Sequence, residues 1–250
     1  MVQMRYFLKL AYNGKNFHGW QLQDNAITVQ QVLNEIMSIY IGETIELTGC
    51  GRTDTGVHAK EFFAHFDMSR LLSDEEKTKA IYKLNCFLKK DIVIYDIITV
   101  NPEAHARFDA TSRTYNYIIY RNKNPFNTEL SYYYPFKLDV ELMNRGAALL
   151  FNYTDFSCFS KSNTQVYTNN CNIMEAYWKQ NEDELIFTIK ADRFLRNMVR
   201  AIVGTMLDLG NGRISIDDLK NIIENKNRSD AGFSVPAHAL FLTKVEYPYL

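Results

Sequence analysis

Apolar and polar positions alternate over residues 4–12, which predicts an opening strand. A polar loop follows, YNGKNFHGWQLQ (12–23), and then TVQQVLNEIMSIY (28–40) switches to helical spacing. Val32, Leu33, Ile36 and Ile39–Tyr40 fall on one side of that helix, and Thr28 stands at its N-cap. A second strand leads into GRTDTGVHA (51–59), which exits into another, AKEFFAHFDM (59–68). Ser73 caps a helix running to about Leu88, and DIVIYDIITV (91–100) has the continuous apolar run of a buried strand.

The second half repeats this order. SRTYNYIIYR (112–121) predicts a long strand, and a helix is expected over about 138–151. Strands at about 171–179 and 184–191 precede a helix expected from Arg193 to about Leu209. A helix at about 215–224 and a final strand, ALFLTKVEY (239–247), complete the pattern. Hairpins mixed with helices, without strict strand–helix alternation, point to an α+β protein with mainly antiparallel sheets. The expected architecture has two pseudo-symmetric halves, residues 1–103 and 104–250. Their sheets join into one extended sheet with helices packed on it and a central active-site cleft.

Composition narrows the class. At 250 residues, 46% hydrophobic and 23% charged, the chain has the make-up of a soluble globular protein with length enough for a large core. No apolar run reaches the roughly 20 residues that span a bilayer, so no membrane association is expected. The opening MVQMRYFLKLAYNG lacks the apolar core and cleavage site of a signal peptide. Cys50, Cys86, Cys158 and Cys171 are scattered and form no paired motif, as expected of reduced thiols in a cytoplasmic protein. Metal-ligand spacing is absent, because His58 and His65 flank a strand with no third ligand near them. The balance of 28 basic and 29 acidic residues argues mildly against a nucleic-acid partner, but charge is unevenly spread. RFLRNMVR (193–200) carries three arginines and no acid.

The densest cluster of chemistry is GRTDTGVHA. Its Asp54-Thr55-Gly56 triplet is the signature of an aspartic protease, and SDAGFS (229–234) supplies a second Asp-Ala-Gly. Such a protease needs two carboxylates sharing a proton, whereas Arg52, two residues from Asp54, would hold that carboxylate ionised. The intervening sequence is also too rich in helix for all-β lobes. A lone Asp-x-Gly is most often only a turn. Here glycine, arginine, aspartate, glycine and histidine crowd into one short loop between strands, and such loops tend to carry function.

Six blocks together resemble the tRNA pseudouridine synthase A (TruA-type) family. They are YNGKNFHGWQLQ (12–23), GRTDTGVHA (51–59), HARFDATSRTYNYIIY (105–120), DFSCFS (155–160), ADRFLRNMVRAIVG (191–204) and SVPAHALFL (234–242), in the family's order. The last block places the second aspartate triplet in the loop before the final strand, which disposes of the protease reading. The resemblance implies an isomerase that converts uridine to pseudouridine at positions 38, 39 and 40 of the tRNA anticodon stem-loop, acting as a homodimer. The reaction conserves atoms and involves no redox change, so neither cofactor nor metal is expected.

By the same resemblance Asp54 is the reacting carboxylate, either attacking C1′ or removing a ribose proton. Arg200 matches the family's basic position opposite that aspartate, where a guanidinium would keep it ionised and oriented. Helical spacing would place Arg193 and Arg196 on one face with Arg200, beside an apolar face of Leu195, Val199, Ile202 and Met206. Tyr115 matches the tyrosine that stacks on the target uracil, while Tyr117 and Tyr120 are read as core. Arg52 would help extrude the uridine from its stack. Arg107, Arg113, Arg121 and Lys123 are candidate phosphate contacts. His58 and His105 are read as local struts. A noncatalytic RNA-binding or tRNA-folding helper on the same scaffold is the competing reading, and the presence of both Asp54 and Tyr115 disfavours it. Thr55 stands where the family often has alanine, a small change.

Overall fold

The structure is a computed structural model, and it describes residues 4–161 and 167–250. The first three residues of the opening segment therefore lie outside the described residues. In chain order the elements are β1 (Met4–Tyr12), α1 (Val29–Ile41), β2 (Thr48–Gly49), β3 (His58–Met68), α2 (Asp74–Phe87), β4 (Ile92–Thr99), β5 (Ser112–Tyr120), β6 (Tyr132–Tyr133), α3 (Val140–Leu149), β7 (Ile173–Asn181), β8 (Glu184–Ala191), α4 (Met198–Gly210), α5 (Ile216–Asn225) and β9 (Leu240–Glu246). The class is α+β with mostly antiparallel strands, as the sequence pattern implies. The chain divides into two compact units, Met1–Thr111 with Leu242–Leu250, and Ser112–Phe241.

In the first unit β1 lies antiparallel between β3 and β4, with Tyr12 opposite Ala59 and Phe7 opposite His65. The two helices start where their side chains can satisfy orphan amides. Thr28 accepts from the Gln31 N–H, and Ser73 and Glu76 form a reciprocal capping box. Gly42, at φ 83°, ends α1 in the left-handed conformation. The strand expected before GRTDTGVHA is only two residues long. Upstream of it, the Ile45 N–H donates to Ser38 Oγ and the Leu47 N–H to Asn34 Oδ1, so side chains of α1 take the bonds a sheet partner would have made. The core beneath the sheet is aromatic. Trp20 stacks on Phe62 at 4.2 Å, and Tyr12 meets Phe62 edge-on at 5.5 Å.

In the second unit β8 is antiparallel to both β5 and β7, and the short β6 runs parallel to β5. Most of α4 is buried, including Val199, Ile202, Val203, Met206 and Leu207. Gly204 is required there, since a Cβ would sit 1.8 Å from the Phe233 carbonyl oxygen. The helix starts at Met198, not at Arg193 as its apolar spacing predicts. Asn197 adopts a left-handed φ of 67°, which no α-helix can pass through. Leu195 is buried like the helical residues, so the apolar period continues into a loop that only imitates another turn.

A polar cluster is locked at the Phe7 end of the first unit. Arg5 binds Asp67 through two parallel bonds, Nε to Oδ1 and Nη2 to Oδ2, both 2.8 Å. Beside it, His65 is buried and accepts the Ala106 N–H at Nδ1, 3.1 Å. Burial first, then the Arg5 guanidinium and His105, lower the His65 pKa from 6.5 to about 4. The unfolded chain therefore binds a proton between pH 6.5 and 4 that the folded chain refuses. The stability this confers is complete above pH 6.5 and is lost as pH falls toward 4. Denaturant titrations between pH 7 and 4.5 are expected to show that loss. In His65→Gln the slope should flatten by up to one proton, about 1.4 kcal/mol per pH unit; an unchanged slope contradicts the assignment.

Candidate active site

Asp54 sits at the first position of a tight turn closed by the Val57 N–H donating to its carbonyl, 3.1 Å. Gly56 has φ 79° and Thr55 has no positive φ, the signature of a type II turn. Everything around the carboxylate is fixed. Thr53 is buried, and its hydroxyl shares a hydrogen bond with the Tyr12 hydroxyl, 2.9 Å. The Gly56 N–H donates to the Phe17 carbonyl at 3.2 Å, and the Gly14 N–H donates to His58 Nδ1 at 3.0 Å.

The YNGKNFHGWQLQ block is thus the back wall of the aspartate turn, and its glycines let the two backbones touch. A Cβ at Gly14 would lie 2.0 Å from the Val57 carbonyl oxygen, and one at Gly19 would lie 2.2 Å from that of Thr53. Gly19 also has φ 84°, a left-handed value that only glycine takes up without strain. The same block anchors α1 through Gly19 and Trp20 carbonyls, which accept from the Val29 and Gln30 N–H groups. The Asp54 side chain remains partly exposed, so a solute can reach it. Arg52, exposed, is aimed by donation from Nε to Gln21 Oε1 at 2.8 Å.

The second unit carries Tyr115 and Arg200. Tyr115 lies opposite Ile189 in the β5–β8 ladder, half-buried, with its ring edge-on to Phe194 at 5.2 Å and 89°. Tyr117, two residues on, is fully buried and donates its hydroxyl proton to the Pro236 carbonyl, 3.0 Å. It is core, as its strand position implies. Arg200 projects from the first turn of α4 and donates from Nε to the Val235 carbonyl at 2.7 Å. Val235 answers with its N–H on the Arg200 carbonyl, 3.3 Å.

That loop is itself clamped. Arg228 donates to the Ala231 and Gly232 carbonyls and to Ser234 Oγ, and Asn197 Nδ2 donates to Ser234 Oγ at 2.6 Å. Arg228, Asn197 and Ser234 were not singled out from the sequence. The signals were Ser234 at the head of SVPAHALFL, the loop that holds Arg200, and Asn197 within ADRFLRNMVRAIVG; Arg228 lies outside every block.

Two further arginines are not where helical spacing puts them. Arg193 and Arg196 precede α4 and share no helical face with Arg200. The Arg193 N–H is tied to Asp192 Oδ1 at 2.7 Å, and the Arg196 carbonyl accepts from the Lys161 N–H at 3.0 Å. Arg113 donates to the Asp192 carbonyl at 2.7 Å and so braces this loop. Arg107 lies on the loop after β4 that is bonded to His65, seven residues along β3 from His58. At the rise of a strand that is roughly 20 Å from the Asp54 end. His58 and His105 both act as struts. His58 Nδ1 holds Gly14, and His105 Nδ1 accepts from the Arg107 and Phe108 N–H groups at 3.1 and 3.3 Å. No described helix is long and apolar enough to cross a membrane.

The first unit thus presents a partly exposed carboxylate on a tight turn, and the second carries a half-buried tyrosine and an anchored arginine. The tRNA pseudouridine synthase pattern matches residues 150–248. A tRNA pseudouridine synthase A from Parabacteroides distasonis is 55% identical over 244 residues, covering 98% of this chain and 96% of the relative. One from Bacteroides fragilis is 51% identical over 250 residues, covering 99% and 98%. A more distant one, from Clostridium acetobutylicum, is 38% identical over 242 residues, covering 96% and 98%. The chain belongs to the tRNA pseudouridine synthase A family.

The glycine contacts make a graded prediction. Gly42 and Gly19 have nearly the same positive φ, but a Cβ at Gly42 meets nothing within 4 Å. Gly42→Ala should cost about 1–2 kcal/mol, the left-handed penalty alone. Gly19→Ala should cost about 2–5 kcal/mol and depress turnover as well, because the Thr53–Asp54 backbone must retreat. Equal costs in chemical denaturation would refute the close-approach argument.

Proposed function

We propose that this protein isomerises uridine to pseudouridine at positions 38, 39 and 40 of the tRNA anticodon arm, with Asp54 as the reacting carboxylate. The coarser activity, uridine isomerisation in tRNA, follows from family membership over nearly the full chain. The observation that supports Asp54 is its setting: a partly exposed carboxylate on a turn that backbone contacts with residues 14–19 prevent from moving.

In the reaction the N1–C1′ bond breaks, the uracil turns while bound, and C5 bonds to C1′. The C5 proton leaves and N1 gains one, so the product has the composition of the substrate and no electrons enter or leave. Asp54 acts at the ribose, by attack on C1′ or by removing a ribose proton. Both routes need an ionised, oriented oxygen and a base that cannot diffuse away. Tyr115 supplies a stacking face for that base. By the family resemblance Arg200, whose Nε is bound to the Val235 carbonyl, is the guanidinium assigned to keep that carboxylate ionised.

Arg52 acts earlier. The target base must leave its stack at a cost of roughly a few kcal/mol, and an exposed guanidinium held by Gln21 can occupy the vacated space. Arg107 contacts a phosphate away from the reacting nucleotide. The protein works as a homodimer in the cytoplasm, and local clusters of basic residues, such as RFLRNMVR, meet the RNA despite a net charge of −1.

The test is release of the C5 hydrogen from unmodified tRNA labelled at uridine C5. Asp54→Ala should lower turnover by about 10³-fold or more while retaining tRNA binding. A variant that turns over within tenfold of the wild type removes Asp54 from the chemistry. RNA binding without turnover by the wild type would favour the helper reading instead.

A further inference from the structure

Phe108 is 74% exposed, yet the loop that carries it is held by many hydrogen bonds. Its loop is bound from every side. Arg5 Nη1 and the Tyr247 hydroxyl donate to the Ala104 and Ala106 carbonyls at 3.0 and 2.6 Å, and the Ala106 N–H is held by His65. The Asp109 carboxylate accepts from the His105 N–H at 2.7 Å and from the Tyr249 hydroxyl at 2.8 Å. That acid is spent inside the loop.

The ring also has a foundation. Phe7 stacks on His65 at 6.3 Å, His65 meets His105 edge-on at 4.6 Å, and His105 lies against Phe108 at 4.3 Å. A column of rings runs from the core to solvent and ends in an aromatic face. Both histidines are neutral at pH 7. Each Nδ1 is an acceptor, and burial lowers both pKa values. The Arg107 guanidinium lies 5.7 Å from the ring centre.

Single exposed apolar residues are ordinary on a surface and need no explanation. What sets Phe108 apart is the combination of a preordered loop, an aromatic base beneath it and a cation beside it. A protein-docking hot spot would be ringed by broad apolar surface, whereas Ala104, Ala106 and Ala110 of this loop are buried and its half-exposed neighbour Tyr249 is another ring, tied by its hydroxyl to Asp109. A flat ring next to a guanidinium matches an unpaired nucleobase with its phosphate.

We propose that Phe108 is a stacking platform for an unpaired base of the tRNA substrate, other than the base being isomerised. This rests on the activity proposed above and extends it to a second contact. The platform's loop is tied to His65, roughly 20 Å along β3 from the Asp54 end, so a different nucleotide must lie on it. Phe108 grips the substrate and takes no part in the chemistry.

The chain's two tryptophans, Trp20 and Trp178, are 2% and 4% exposed, so Phe108→Trp adds a single surface indole. Its fluorescence should be quenched saturably by an unmodified tRNA transcript, at the affinity seen in direct binding. Phe108→Ala should weaken transcript binding by about 5- to 150-fold, raise KM and leave kcat within about twofold. Phe108→Tyr should restore binding. The salt dependence of affinity should keep its slope in Phe108→Ala, because stacking releases no counterions, and become shallower by about one in Arg107→Ala. Wild-type turnover of tRNA together with unchanged affinity in Phe108→Ala, or an unquenched indole, overturns the platform while leaving the isomerase standing. A change in oligomeric state in Phe108→Ala also overturns it, by assigning the ring to contact between copies. Failure of the wild type to bind or convert tRNA removes both.

Discussion

The contact that the proposed chemistry depends on is backbone against backbone. The chain at Gly14–Gly19 and the turn at Thr53–Val57 approach so closely that a single methyl group on either glycine would collide with a carbonyl oxygen. Hydrogen bonds from Gly14 to His58 and from Gly56 to Phe17 fasten the seam, and the Tyr12–Thr53 bond closes it from below. A carboxylate on an ordinary surface turn would sample many rotamers and many turn geometries. One carried on this turn starts from a fixed backbone position, and the entropy of placing that backbone has been paid in folding. Two blocks that look independent in the sequence are thus one structural device.

Arg200 is handled in a parallel manner inside the second unit. It leaves α4 only three residues after the left-handed Asn197, and the Val235 loop takes its Nε. Gly204 allows that loop's Phe233 carbonyl to lie against the helix, while Arg228 and Asn197 grip Ser234. Losing the loop's geometry would leave the arginine without its anchor even though the helix stayed intact. In both units the backbone that carries a proposed site residue is positioned by glycine-mediated close packing of a loop.

Much of this was legible in the sequence, and for identifiable reasons. Thr28 and Ser73 announced their helices because capping is local chemistry, and the apolar content of β1 and β8 marks them as strands whose middles are buried on both faces. Elements failed where tertiary contacts supplied the answer. The segment before Cys50 has strand-like residues, but Ser38 and Asn34 take its amides, so only Thr48–Gly49 pair. The apolar period of α4 runs backward to Leu195 because a loop residue is buried in register with the helix, and the arginine stripe inferred from that period dissolves with it. Phe108 lies within the HARFDATSRTYNYIIY block, where sequence does not distinguish a core phenylalanine from one presented to solvent. The account rests finally on one carboxylate, and the isosteric change that removes only its charge tests it most directly. Unmodified tRNA incubated with wild-type protein or with Asp54→Asn can be mapped for pseudouridine position by position. The account predicts conversion confined to positions 38–40 with the wild type and none with the variant; comparable conversion by Asp54→Asn, or wild-type conversion elsewhere in the tRNA, would contradict it.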